Sequence, residues 1–520
     1  MIRARQAGTL MLACTALLLV AAASPRGTEP FSQEPVRGLT QAPLLVRAYD
    51  LVYDADFAAA DAELQRACGP APAQACGVVG VAAQWWRIYF DIDDRSFDEA
   101  FKPRLDTVIS ACERWIAREP GRAEAWLYLG AAYGVRVQYH AYRFQFLAAA
   151  RDGKRVKNSL EKALALDPDL DDANAGLGLY QYYADVAPSV LKVLRWFLGL
   201  PGGDRAKGLA QLRRARERGL LLKAEAAYQL HLVDLWYESK SSEAIEILAD
   251  LHARYPHNPI FLLNAAQAHE VYLSDRAAAL DIYKSLVDGA RGGTLREPVL
   301  AETWGRLGAA AQWTALAEPD RAADEARAVI ARRPAVPFGA AAQAQLELGR
   351  ALDRLGSRDQ ATTAYRAAIA AAPPGDPRSL RRAAQQGLSH APDRVTAEAT
   401  RLSLEGWRAF ERGDAARALA PIDRAVQLRP DDGVHRYRRG RVLLATQDRV
   451  RARADFERAL QARPLPPAPF VAASYYELGG IFETGSDRAR ALQMYDAASR
   501  AHGAAAETRV LAQRALARLR

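Results

Sequence analysis

Along most of this chain, small and large apolar residues return at fixed intervals between polar positions. Gly406, Ala418, Ile422, Ala425 and Pro430 are repeated 34 residues later as Gly440, Ala452, Phe456, Ala459 and Pro464. The same offsets return at Gly349, Ala361, Tyr365, Ala368 and Pro373, and at Gly479, Ala491, Tyr495 and Ala498. Apolar spacing of three and four residues predicts helices, and a period of this length predicts stacked helical hairpins. Gly and Ala fall where two helices cross too closely for a larger side chain. The aromatic or aliphatic residue fills the adjacent gap, and proline stops the second helix. No comparable stretch alternates with the period of a strand. The pattern predicts an all-α solenoid in which each hairpin packs only on its neighbours.

The residue types at these offsets are those of the tetratricopeptide repeat, and residues 123–505 resemble that family. The resemblance implies a right-handed superhelix of about nine recognisable repeats, with the first helix of each lining a concave groove. Before the repeats, 43–72 and 82–119 read as two irregular helical pairs. In the first regular unit Trp126, Leu129, Gly130 and Tyr133 belong to one helix, and Leu160, Ala163 and Pro168 to the next. Ala163 arrives 14 residues late, which adds about two turns to each helix and predicts a projecting hairpin. The following unit holds an insertion from Val186 to Gly203 whose Val190, Leu191, Leu194, Phe197 and Leu198 recur at helical spacing. That stretch predicts an amphipathic helix, either a lid over the inner groove or a docking site.

The domain reading is a signal peptide at 1–23, a flexible leader at 24–42 and an N-terminal solenoid at 43–375. A hinge or linker helix follows at 376–398, then C-terminal repeats with a capping helix at 399–520. A narrower similarity covers about 120–290. Pro188, Leu191, Leu194, Gly203-Asp204-Arg205, Gly208-Leu209 and Tyr255-Pro256-His257-Asn258-Pro259-Ile260-Phe261 look like the eukaryotic inclusion-body-clearance branch of tetratricopeptide proteins. That similarity implies an adaptor and not an enzyme. The chain departs from the branch at its N-terminus, and no binding residue is carried over.

Arg3 and Arg5 precede an apolar run from Thr9 to Ala23, with Ala21, Ala22 and Ala23 before Ser24. This predicts export to a bacterial periplasm or envelope. Lipidation at Cys14 and an uncleaved N-terminal anchor are the alternatives. No later segment has the length and lack of charge to span a membrane. In an oxidising compartment Cys68 and Cys76, on either side of Gly69-Pro70-Ala71-Pro72, are candidates for a disulfide, with two unrelated thiols as the other reading. Cys112 keeps step with Leu105, Ile109 and Ile116 as a core position.

Composition adds one asymmetry. From Asp376 to Arg520 there are 26 Arg, no Lys and 17 acids, which accounts for the whole net charge of +9. This excess either attracts an acidic partner or is a solvated face. Nucleic acid is not expected as a partner of an exported protein. The chain carries no Walker loop, no GxSxG elbow and no HExxH, so neither an enzyme nor a cofactor is expected. Asp167, Asp169, Asp171 and Asp172 could hold calcium, but a helix stop and an N-terminal cap explain them as well. His252 and His257 flank a helix end without a third ligand, and no metal is expected.

What remains is recognition. Trp407, Tyr437, Arg441 and Tyr476 fall on the predicted concave face of successive C-terminal repeats, where aromatic and Arg side chains serve as anchors for a protein or peptide partner, acidic in this setting. Tyr133, Tyr139, Tyr142, Tyr182, Tyr183, Trp196 and Phe197 crowd the N-terminal half. They are either core, or the wall of a site for a small ligand, glycan or lipid beneath the 186–203 helix. The polypeptide scaffold is the leading expectation. Oligomeric state is not legible.

Overall fold

Asp residues open the second helices of the last three hairpins. Asp414, Asp448 and Asp487 accept hydrogen bonds from the amides of Arg417, Arg451 and Arg490, at 2.9, 3.1 and 3.0 Å. Each carboxylate satisfies an amide that the helix itself leaves unpaired. The computed structural model describes residues 36–186 and 202–520, and these form twenty-four helices with no strand among them beyond an isolated bridge between Val36 and Arg122. The regular C-terminal hairpins are Ala340–Arg354 with Arg358–Ala371, Arg394–Glu411 with Ala415–Leu428, Gly433–Ala445 with Arg449–Gln461, and Ala468–Thr484 with Arg488–Arg500. Ala506–Leu519 caps the last of them.

The 34-residue register works by close approach. A β-carbon placed on Gly349 or Gly479 would stand 2.6 Å from Tyr365 or Tyr495, and one on Gly440 would stand 2.8 Å from Phe456. In each case the partner lies sixteen residues on. The expanded hairpin keeps the contact, since a β-carbon on Gly130 would stand 2.4 Å from Leu160. Its helices, Ala123–Tyr142 and Phe146–Leu166, are 20 and 21 residues long.

Residues distant in sequence also meet. Asn258 donates to the Tyr53 carbonyl at 2.6 Å, Tyr255 to Asp50 at 2.5 Å and the Phe338 amide to Asp91 at 2.8 Å. His502 reaches the Leu273 carbonyl, and Arg378 pairs with Asp93 at 2.8 Å. Separations of this size correspond to about six to eight hairpins, so the solenoid of Pro35–Arg520 winds back on itself into one compact unit.

The leader predicted as flexible is pinned where it is described. The Gly38 amide donates to Asp167 at 2.8 Å and the Thr40 amide to Glu124 at 2.8 Å. Glu124 and Asp167 are buried and need donors, which the leader supplies. The segment at 376–398 contains the helix Leu380–Ser389. Gly387 packs on Tyr365, and Arg358 donates to the carbonyls of Gly387 and Leu388 at 2.9 and 2.6 Å. Cys68 and Cys76 are bridged, with their α-carbons 5.7 Å apart. No described helix is long and apolar enough to cross a membrane.

Candidate binding face

The inner helices of the C-terminal hairpins bring the four predicted partner-binding residues into one neighbourhood. The rings of Trp407 and Tyr437 are 6.3 Å apart, and Tyr437 also meets Phe456 at 5.9 Å and Phe470 at 5.2 Å. Arg441 donates to the Tyr437 hydroxyl at 3.0 Å and pairs with Glu477 at 3.2 Å. Tyr476 meets Tyr495 with their ring centres 5.6 Å apart and tilted by 51°. Trp407, Arg441 and Tyr476 are half-buried and keep accessible surface. Tyr437 does not, being only 5 % exposed. The expectation that it contacts a partner is corrected: the inner helix of the next hairpin covers its ring, so it is a core residue.

Beside this cluster the chain presents its own acidic turn. Leu316, Ala317 and Glu318 join the helices Pro298–Ala315 and Pro319–Arg332, and Asp320 lies in the first turn of the second. Arg438 donates to the Ala317 carbonyl at 2.8 Å, to Glu318 at 2.7 Å and to Ser403 at 3.2 Å. Its guanidinium lies 5.9 Å from the ring centres of both Trp407 and Phe470. Arg408 grips Asp320 with two bonds of 2.7 and 2.8 Å, and also reaches Glu318 and Glu411. Burial pushes the fully enclosed Arg438 below its ordinary pKa, against the pull of Glu318. For Arg408 burial acts the same way, but its carboxylates outweigh it and hold the guanidinium more firmly protonated. Burial alone would raise the Asp320 carboxyl, yet Arg408 keeps it below the usual range. Two arginines on consecutive inner helices thus recognise a carbonyl and two carboxylates.

Sequence reasoning passed over Arg408, Arg438 and the 317–320 turn. Arg438 stands in a run with Arg436 and Arg439, and nothing local separates them. The structure sends Arg436 and Arg439 to Asp455, at 2.8 and 2.6 Å, and Arg438 alone across the groove.

The N-terminal aromatics are largely committed to the chain itself. Tyr133, Tyr139 and Tyr182 are buried, and Tyr142 and Tyr183 are half-buried. Tyr133 donates to Glu113 at 2.6 Å, Tyr142 to the Tyr89 hydroxyl at 3.2 Å, and Tyr182 to Glu238. Tyr139 packs against Trp85 and Phe101, and Tyr183 between Tyr182 and Tyr237. Tyr228 donates to Tyr89 at 3.0 Å and accepts from Asn264 at 2.8 Å. The N-terminal helix Ala42–Tyr53 enters this space, where Tyr53 meets Trp86 and Tyr255 and donates to Glu225 at 2.5 Å. Trp196 and Phe197, with the body of the 186–203 insertion, lie outside the described residues.

The acidic run of 167–172 anchors loops. Asp167 ends the helix Phe146–Leu166, as expected. Asp172 is not a cap of its own helix: it accepts from the amides of Leu221 and Leu222 in the next hairpin's turn, at 2.8 and 2.6 Å. Asp171 pairs with Arg214. His257 bonds Asp54 at 2.6 Å. The described residues contain no cluster of metal-ligating groups.

A profile of the Tetratricopeptide repeat matches residues 342–374. Comparison with curated proteins finds no match. Among solved structures, a tetratricopeptide repeat protein from Parabacteroides merdae is similar at 16 % identity and a TM-score of 0.25, over 57 % of this chain and 98 % of that one. The human IFIT1 dimer with PPP-AAAA is similar at 16 % identity and a TM-score of 0.27, over 88 % and 94 % of the two chains. Scores this low do not indicate a common overall shape. The profile falls on the hairpin of Gly349 and Tyr365, whose packing recurs at Gly440 with Phe456 and at Gly479 with Tyr495: residues 342–374 match the tetratricopeptide repeat, and the later hairpins share its close contact.

Proposed function

We propose that this protein is an exported, non-enzymatic scaffold of the bacterial envelope that binds an acidic polypeptide segment on the inner face of its C-terminal repeats. The observation that carries this reading is the hold of Arg408 and Arg438 on Ala317, Glu318 and Asp320. A surface that engages an acidic turn of its own chain has the donors to engage another's. Trp407, Phe410, Arg441 and Tyr476 continue the face and remain half-accessible. Arg441 lies 5.9 Å from the Phe410 ring, a forked donor on an aromatic support. The alternative, a small ligand, glycan or lipid among the N-terminal tyrosines, would have to compete with hydroxyl partners within the chain.

Photo-crosslinking from Tyr476 in intact envelopes, followed by identification of the captured proteins, tests this. Arg441→Gln is expected to lower capture of an acidic partner by about 2 kcal/mol, roughly thirtyfold, with little change in melting. Retention of every partner at wild-type yield would sink the C-terminal face as the site.

A further inference from the structure

The expanded hairpin ends in an apolar tip that stays exposed among the described residues. Gly130 precedes the end of its helix at Tyr142 by twelve residues, whereas Gly440 precedes Ala445 by five. The extra length therefore lies beyond the point where the helices cross, and carries the tip roughly 10 Å past a regular turn. There Phe144 is 66 % exposed, Phe146 60 % and Leu147 46 %. The two phenyl rings meet edge-on at 6.1 Å. Phe97, 54 % exposed, is brought to the same end because Arg143 binds Asp98 at 2.6 and 2.7 Å and the Ile92 carbonyl at 2.8 Å. The backbone at Phe144 is left-handed, with φ of 59°, a conformation uncommon outside glycine.

We propose that this tip is a lipid-contacting surface that inserts its phenylalanines into the interface of an anionic bilayer. The tip is convex. A rigid protein could cover it only with a matching cup, whereas lipid deforms around a projection. None of the four side chains has a polar atom that would need a partner in the acyl boundary. Charge points the same way. Asp98 is neutralised by Arg143, and Asp106 and Asp152 by Arg136 and Arg155. Asp94 is turned onto the Ser96 amide at 2.8 Å. Arg95, Lys102 and Arg151 are exposed around the tip, against Glu99 as the exposed acid. Apolar insertion with flanking cations is the two-part chemistry that holds peripheral proteins on anionic lipid.

The surface can be read locally in the full chain. With Cys14 replaced by Ser, Leu147→Cys carries an environment-sensitive fluorophore, since Cys112 is buried and Cys68 and Cys76 are bridged. With vesicles of phosphatidylcholine and phosphatidylglycerol the label is expected to shift to the blue and brighten severalfold, less so with phosphatidylcholine alone. The same label at Val450→Cys, 83 % exposed and far along the chain, should stay silent. Phe144→Ser with Phe146→Ser should abolish the response at an unchanged melting temperature. The proposal is overturned if the label at 147 stays dark while the protein sediments with vesicles, because the contact then lies elsewhere. It is equally overturned if only added envelope protein, and not lipid, brightens the label.

Discussion

The two halves of the solenoid share one register but close their inner space by different means. From Leu45 to Trp304 most of the buried apolar residues join one large connected core, with smaller satellites around Ala175, Leu235 and Ala266. Trp85, Trp86, Tyr89 and Tyr228 reach across it, and the helix Ala42–Tyr53 fills what remains. In the C-terminal half the core is broken into smaller clusters, each tied to one or two hairpins. Between those clusters arginine spans the gap and meets carboxylates, as Arg438 and Arg408 do at Glu318 and Asp320. The difference follows from side-chain reach. Here the long side chains of Arg408 and Arg438 make the crossing, and they keep part of the face polar. The same repeat therefore yields a filled core at one end and a partly polar face at the other.

Removing Arg438 attacks the ionic closure directly. Arg438→Ala should cost about 3 kcal/mol in denaturant unfolding, because it breaks a buried pair, leaving Glu318 with Arg408 and the Ala317 carbonyl without its donor. Adding Glu318→Gln should recover a substantial part. A neutral Arg438→Ala would mean that the clamp does not hold the C-terminal half. The shared register comes next. Gly440→Leu should cost about 1–3 kcal/mol, because even a β-carbon would press on Phe456. Phe456→Ala in the same chain should lessen that penalty, and an unchanged melting curve would break the register. On the aromatic side Tyr228→Phe removes a donor to Tyr89 and the acceptor of Asn264, at an expected cost of about 1 kcal/mol. A loss as large as that of Arg438→Ala would erase the contrast between the halves.

The smallest effect at neutral pH comes from His435. Burial, with Arg438 and Arg429 nearby, pushes its imidazole from 6.5 down to about 4, against Asp432 at 3.8 Å. The folded state then binds its proton later than the unfolded state does. Its contribution is intact above about pH 6.5 and is lost as pH falls toward 4. His435→Gln should flatten that acid slope, measured as melting temperature from pH 7 to pH 4. His231, pushed by burial to about 3, adds a slope of the same sign in the N-terminal half. Asp91 opposes it there: burial raises its carboxyl to about 6, so its ionisation weakens the fold as pH rises toward and past that value. Identical acid slopes for wild type and His435→Gln would remove the histidine from this account.

The hairpins and the Gly-to-aromatic contacts were legible because each is local: helix spacing, a capping Asp, and a small residue sixteen positions before a large one. The expanded hairpin was equally legible, since added length between Gly130 and Ala163 has nowhere to go but outward. Tyr437 was misjudged because its burial depends on Phe470 of the next hairpin, not on its own helix. The pinned leader escaped notice for a similar reason, since its partners Glu124 and Asp167 lie 84 and 129 residues away.

The amino-acid order by itself thus determined the helices, their pairing and the repeat that stacks them, all set by interactions within a few turns of chain. Only the tertiary structure decided which arginine of 436, 438 and 439 crosses the groove, which acidic turn it meets, and that the N-terminal helix lies among distant tyrosines. Those outcomes depend on how the solenoid winds, and winding sums small angles over many hairpins. A sequence pattern that repeats every 34 residues cannot record where that sum brings two remote segments together.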